Sequence, residues 1–212
     1  MAYSKEGVLA NFKGRLGKMV VYQMNGKTVV RSMPTRKGGQ VSPKLKESQG
    51  HFAKVMSVMA AVKPFIRIGF NDLAEGKFVF QRALSENLIR YKESENPDFF
   101  DWLLVSKGER AGAMDLNVQV LGNEAKVSWG DAKAGMPWDK NDHVLLLALN
   151  TVTLEETDNL KAGIRSKGQA SLKLPTAEAG QPVLVFIAFY DLAGAAVKAD
   201  PANISNSQAV KA

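Results

Sequence analysis

The sequence predicts an α+β chain in two parts: a basic β-hairpin followed by helices over residues 1–98, then an all-β sandwich over 99–212. Three observations predict it. Two β-rich runs flank an Asn-Gly dipeptide near the N-terminus. Apolar residues then recur every seven positions from Leu45 to Ile66. After Pro97 the texture changes to short alternating runs bounded by Gly, Asp, Asn or Pro. With 212 residues and 45% hydrophobic content the chain has ample material for packed cores.

The first element is the hairpin. Met19-Val-Val-Tyr-Gln-Met24 and Lys27-Thr-Val-Val-Arg-Ser-Met33 are joined by Asn25-Gly26, the signature of a two-residue type I′ loop. That loop length pairs Val21 with Val30 and Tyr22 with Val29. Val20, Tyr22, Val29 and Arg31 then share one face, and Met19, Val21, Val30 and Ser32 the other. Both faces are partly apolar, and a two-stranded hairpin is marginal alone, so it is expected to pack on further structure.

Pro34 to Val41 reads as a basic loop with consecutive glycines, Gly38 and Gly39. Ser42-Pro43 follows as a helix N-cap with Pro at the first helical position. Leu45, Phe52, Met59 and Ile66, with Val55, Met56 and Val62 beside them, predict one long buried stripe, and Pro64 should kink or end that helix. A second helix is predicted from about Gly76 to Tyr91, with Phe80, Leu84, Leu88 and Tyr91 on one side. Asn96-Pro97 closes the helical part. Between the two parts, Phe99, Phe100 and Trp102 favour a fixed corner over a flexible linker.

Strands are predicted at Leu116 to Leu121, Ala125 to Trp129, His143 to Asn150, Ala170 to Leu174 and Pro182 to Asp191, out of about seven in the sandwich. The alternation Ala125, Val127, Trp129 points Trp129 inward, and Phe186, Ala188 and Tyr190 form the stripe expected to match it.

Several chemistries are excluded by composition. There is no Cys, hence no disulfide, zinc-thiolate site, iron-sulfur cluster or thiol nucleophile. The longest apolar run near the N-terminus, Val8 to Ala10, is far shorter than a signal peptide's apolar region. The most apolar stretch, Val183 to Tyr190, is of strand length and far below a membrane span. A cytoplasmic protein is expected, or a virion component.

Catalytic patterns fail one by one. Asp142-His143 are neighbours at the entry to a strand, and neighbours in a strand point to opposite faces. His51 has Val55 at the position where a second helical metal ligand would stand. Glu155-Glu156-Thr-Asp158 reads as a solvated acidic loop without the Asp/Asn alternation of a calcium loop. Gly14-Arg-Leu-Gly17-Lys18-Met19 has two residues between its glycines, where a phosphate-binding loop has four, and Met where magnesium needs a hydroxyl. No enzymatic activity, cofactor, metal or small-molecule substrate is expected.

The charge distribution carries the functional content. The first fifty residues hold ten Lys or Arg against two acids, while the remaining chain holds eighteen against nineteen. Clustered like charge persists where an anionic partner neutralises it. Lys13, Arg15, Lys18, Lys27, Arg31, Arg36, Lys37, Lys44 and Lys46 are the candidate anionic-partner residues. A protein partner or self-assembly is expected first, with sequence-nonspecific nucleic-acid binding as the alternative and a membrane last. Only Phe12 and Tyr22 are aromatics among these cations, a thin stacking platform, so nucleic-acid binding would be phosphate-driven and salt-sensitive.

Two resemblances add to this reading. Gly14-x-x-Gly17-x-x-Val20-x-Tyr22, then Asn25-Gly26-Lys27-x-Val29-x-Arg31-Ser-x-Pro34, then Ser42-Pro43 and a helix ending Pro64-Phe-Ile-Arg-Ile-Gly69-Phe resemble a domain-of-unknown-function family of Bacteroidota proteins of about this length. Similar openings occur in small phage-encoded proteins, which implies a virion- or prophage-related role. The strand order, the inward Trp129 and the terminal Ser205-Asn-Ser-Gln-Ala-Val210 resemble fibronectin type III or immunoglobulin-like modules. The second resemblance implies an immunoglobulin/fibronectin-III-like sandwich, an architecture that hosts many functions.

Overall fold

The structure, a computed structural model, describes residues 2–4, 12–24, 26–35, 41–71, 78–94, 98–130, 132, 135–178, 180–197 and 200–212, with side chains omitted at 2–4 and 195–197. The fold is mixed α+β: an N-terminal antiparallel sheet, helices, then two antiparallel sheets in the C-terminal half. It divides into two compact units, residues 1–45 and 46–212.

In the first unit, strands β1 (Ala2–Ser4), β2 (Gly14–Leu16), β3 (Met19–Met24) and β4 (Lys27–Ser32) form a sheet of order β1-β4-β3-β2. The predicted hairpin register holds: Val21 pairs with Val30 and Tyr22 with Val29. Gly26 has φ 70°, as a two-residue hairpin loop requires, while Asn25 lies outside the described residues. Gly14 to Lys18, the segment that fails as a phosphate-binding loop, opens a second hairpin with β3. Leu16 pairs with Met19, and Gly17 takes φ 59° in the two-residue turn between them. Val21 and Thr28 are buried on one face and Val29 on the other, while the cations beside Val29 remain exposed.

Helix α1 (Pro43–Ala61) starts as predicted, with the Leu45 amide donating to Ser42 Oγ at 3.3 Å. Pro64 sits in the first turn of a new helix, α2 (Lys63–Gly69), where its missing N–H costs little. The predicted stripe is corrected: of its residues Val55, Met59, Val62 and Ile66 are buried, whereas Leu45, Phe52 and Met56 are exposed. Seven-residue recurrence marks a helix face, but the length of face that is covered depends on what lies opposite. Helix α3 (Val79–Glu93) follows, then the short α4 (Phe99–Trp102).

Among the described residues the larger unit continues with seven strands: β5 (Met114–Leu121), β6 (Glu124–Gly130), β7 (His143–Asn150), β8 (Glu156–Ile164), β9 (Gln169–Lys173), β10 (Val183–Tyr190) and β11 (Gln208–Lys211). They form one sheet of order β11-β10-β7-β8 and another of order β5-β6-β9. A short helix, α5 (Leu192–Val197), lies between β10 and β11. Strand β8 corrects the reading of 155–158 as a solvated loop, since Glu156 pairs with Leu149 and Asp158 with Leu147.

The larger unit has two cores on opposite faces of the four-stranded sheet. Leu145, Leu147, Leu149, Leu184, Phe186 and Ala188 meet the helical layer at Val55, Met59, Phe65, Ile66 and Trp102. Val144, Leu146, Ala148, Val185, Ile187 and Phe189 meet Ala125, Val127, Trp129 and Leu172 of the smaller sheet. Each fully buried Val, Leu, Ile, Phe or Met side chain among these contributes about 1.5–3 kcal/mol. Trp129 does point inward, but its partner is Phe189, edge-on at 5.7 Å, and not the Phe186–Ala188 stripe, which faces the helices. Strand β10 is apolar throughout because both faces are covered, and alternation cannot rank two buried faces.

The corner between helices and sheets is fixed by side chains reaching backbone. Asn87 donates to the carbonyls of Ala83 and Leu104 and accepts from the Leu104 amide at 2.7 Å. Trp102 is fully buried, with Tyr91 edge-on at 5.3 Å. Ser106 Oγ donates to the Ser205 carbonyl, and Ser207 Oγ accepts from the Val105 amide, tying residues 103–107 to the far end of the chain.

Candidate functional site

Two places concentrate charge differently. The first is the sheet of the N-terminal unit, which holds nine basic residues against one acid over 1–45. Arg15 pairs across with Val20 and Val20 with Arg31, so the two arginines share one face, two strands or roughly 10 Å apart. Strand alternation adds Lys27 and Tyr22 to that face, and the Arg31 guanidinium lies 5.7 Å from the Tyr22 ring centroid. Arg15 is further oriented by its Nε, which donates to the Gly17 carbonyl at 3.2 Å.

Of the nine predicted cations, Arg15, Lys27 and Arg31 are thus brought together by register. Lys18 is exposed in the β2–β3 turn, Lys13 is exposed just before β2, and Lys44 and Lys46 are exposed in the first turn of α1. Lys46 falls in the larger unit. Arg36 and Lys37 lie outside the described residues.

The second place, at one end of the sheets in the larger unit, was not legible in the sequence. Asp142, just before β7, is buried between two arginines. Arg110 donates to its Oδ1 at 2.5 Å, and Arg165 Nε to its Oδ2 at 3.1 Å. Arg110 also donates to the Ala202 carbonyl and approaches Asp191 at 3.5 Å. Arg165 donates to the carbonyls of Ala111 and Gly112, and its guanidinium stacks 3.6 Å from the Phe189 ring centroid. Burial pulls Arg165 below its usual pKa, and the Asp142 carboxylate opposes that pull.

This arrangement organises loops and is ill suited to proton transfer. Asp142 Oδ2 also accepts from the Asp139 amide, so both carboxylate oxygens are engaged, and acting as a base would break two buried ion pairs. His143 is half-buried at the start of β7, paired with Tyr190 and Ile164. His51 packs edge-on against Tyr91 at 5.3 Å. Among the described residues no group of three His, Asp or Glu is placed to hold a metal ion.

Above this network lies an open groove of about 500 Å³, bordered by Trp138, Asp139, Asn141, Asp191 and Leu192, with Arg110 and Asp142 at its floor. A second groove of about 330 Å³, bordered by Lys140, Arg165 and Ser166, lies on the other side of Trp138. Trp138 is 51% exposed, whereas Trp102 and Trp129 are 0% and 6% exposed. An indole left open between two grooves is the feature a sequence scan could have flagged, from Pro137-Trp138-Asp139 in a polar turn.

A family model, described as a family of unknown function (DUF6266), matches residues 9–208. The chain belongs to this family. The match covers residues of both units. No curated protein matches the chain. Among solved structures, the spore cortex lytic enzyme SleM of Clostridium perfringens is similar at 13% identity, over 55% of this chain and 30% of that enzyme, with a TM-score of 0.33. The likeness covers less than a third of SleM and carries no argument about the DUF6266 chain. Among the described residues no helix is long and apolar enough to cross a membrane.

Proposed function

We propose that the protein is a non-catalytic structural or interaction protein whose basic N-terminal unit docks onto an anionic protein surface or assembly. The observation that carries this reading is the convergence of Arg15, Lys27 and Arg31 on one sheet face, in a unit with nine basic residues against one acid. Exposed cations at fixed spacing on a sheet favour a partner that neutralises several of them together.

The larger unit serves as the presenting scaffold in this reading. Its three-stranded and four-stranded antiparallel sheets enclosing Trp129 support an immunoglobulin/fibronectin-III-like sandwich, with helices added on the outer face of the larger sheet. Sandwich loops gather at two ends, and the Trp138 groove lies at one of them.

A second reading, sequence-nonspecific nucleic-acid binding, is favoured by one observation: Tyr22 lies on the basic face beside Arg31, where a base could stack. Light scattering and the 260/280 nm absorbance ratio, followed before and after nuclease and high salt, separate the two. A low ratio with a nuclease-resistant complex is the expected result. A high ratio that collapses with the mass after nuclease would replace the first reading by the second. A Arg15→Glu/Lys18→Glu/Arg31→Glu chain that keeps all its partners would end both.

A further inference from the structure

We infer that the Trp138 groove is the receptor for the basic unit of a second copy of this chain. The inference rests on the reading of that unit as an anion-seeking docking element, and it names the anionic surface.

The groove has the chemistry to hold a basic side chain. Trp138 offers an open indole face, and Pro137 and Leu192 extend the apolar wall. Three carboxylates, Asp139, Asp142 and Asp191, line it against the single guanidinium of Arg110. Arg110 is itself buried and turned onto Asp142, Asp191 and the Ala202 carbonyl, and Arg165 approaches Asp142 from the far side. With Asp191 shared with Arg110 and Asp142 held between two guanidiniums, the groove keeps an excess of one negative charge, at Asp139, beside the open indole. A lysine or arginine stem can lie on that indole while its cationic head reaches the carboxylates.

The receptor is also held in place before anything binds. Asp142 Oδ2 accepts from the Asp139 amide and Asp139 Oδ1 from the Asn141 amide, while the two buried arginines anchor Asp142. Asp191 Oδ1 accepts from the Gly194 amide. Fixing both rims beforehand lowers the ordering cost of association.

Charge complementarity selects the occupant. The same polypeptide that carries this acidic, indole-lined groove carries exposed Arg15, Lys18 and Arg31 in a unit with an eight-charge excess. A basic unit entering the groove of the next copy is a heterologous contact, which propagates as a ring or a filament. That geometry suits a protein whose role is assembly.

The test uses the nuclease-treated full chain. Light scattering across protein concentration at about 50 mM and about 500 mM salt reads association and its screening. Acrylamide quenching reads Trp138 selectively, because Trp102 and Trp129 are buried. The expected result is a mass that grows with concentration at low salt, with Trp138 protected in step. Trp138→Ala, at an exposed position that should not disturb folding, should weaken association about thirtyfold as a central anchor does. Asp139→Lys should abolish it, and adding Arg15→Glu and Lys18→Glu to the same chain should restore part of it.

A chain that stays monomeric at every concentration overturns the inference. So does one that associates while Trp138 remains fully quenchable. In either case the docking role of the basic unit is decided separately, by whether the wild-type chain binds poly-glutamate and the Arg15→Glu/Lys18→Glu/Arg31→Glu chain does not.

Discussion

Arg31 in the N-terminal unit and Arg165 in the larger unit both lie near an aromatic ring, at 5.7 Å from Tyr22 and 3.6 Å from Phe189, yet they do opposite work. Arg31 is exposed on a small sheet whose face also carries Arg15 and Lys27. Arg165 is buried, with its donors on Asp142, Ala111 and Gly112. An exposed guanidinium is hydrated and screened and adds little to stability, so it is available to a partner. A buried one must be matched where it stands, and it then fixes the backbone that matches it. The contrast teaches that the same residue type supplies recognition in one unit and architecture in the other, with burial deciding between them.

The sharpest way to break this contrast is at Asp142. Asp142→Ala leaves two guanidiniums buried without their carboxylate, which should cost about 3–5 kcal/mol and lower the melting temperature by about 10 °C. A melting temperature within a degree or two of wild type would mean that the network is solvated and not architectural. Next comes the arginine pair. Arg165→Ala should destabilise by about 2–3 kcal/mol, since Asp142 loses one partner and Phe189 its stacked cation. Arg31→Ala should change stability by less than about 0.5 kcal/mol while lowering affinity for an anionic polymer and flattening its salt dependence. Denaturant titration and binding isotherms on both variants would expose any exchange of these roles.

The smallest effect is expected at Glu156 of β8. Burial first, and the neighbouring Asp158 second, push its carboxyl above the ordinary glutamate value, and its Oε2 is buried without a partner. The folded state then holds this proton more tightly than the unfolded state. Stability from this group is present below the ordinary glutamate pKa and is lost as pH rises through the folded value. Glu156→Gln should therefore raise the melting temperature slightly at neutral pH and leave it unchanged near about pH 4. Equal shifts at both pH values would assign the effect to packing.

Local chemistry made much of the fold readable in advance. Asn25-Gly26 between β-rich runs specified the β3–β4 register, because a two-residue loop permits only one pairing. Ser42-Pro43 specified the start of α1, and Pro64 the break before α2, since each acts through its own backbone group. Strand β7 was predicted with its observed ends because its run is apolar and bounded by polar turn residues. The basic character of the N-terminal unit is likewise a property of composition, and no fold can remove it.

Tertiary structure alone decided the rest. Whether Phe186 or Phe189 faces Trp129 depends on which layer covers which side of a sheet buried on both, and alternation carries no such label. How much of the α1 stripe is buried depends on where the opposing surface ends, so Phe52 is exposed and Met59 is not, one heptad apart. Arg110, Asp142 and Arg165 stand 32 and 23 residues from one another along the chain, too far for any spacing rule to join them. Only the folded chain puts one carboxylate between two guanidiniums and leaves Trp138 open above them. Interactions between sequence neighbours are written in the sequence, whereas those between distant segments exist only once the layers have packed.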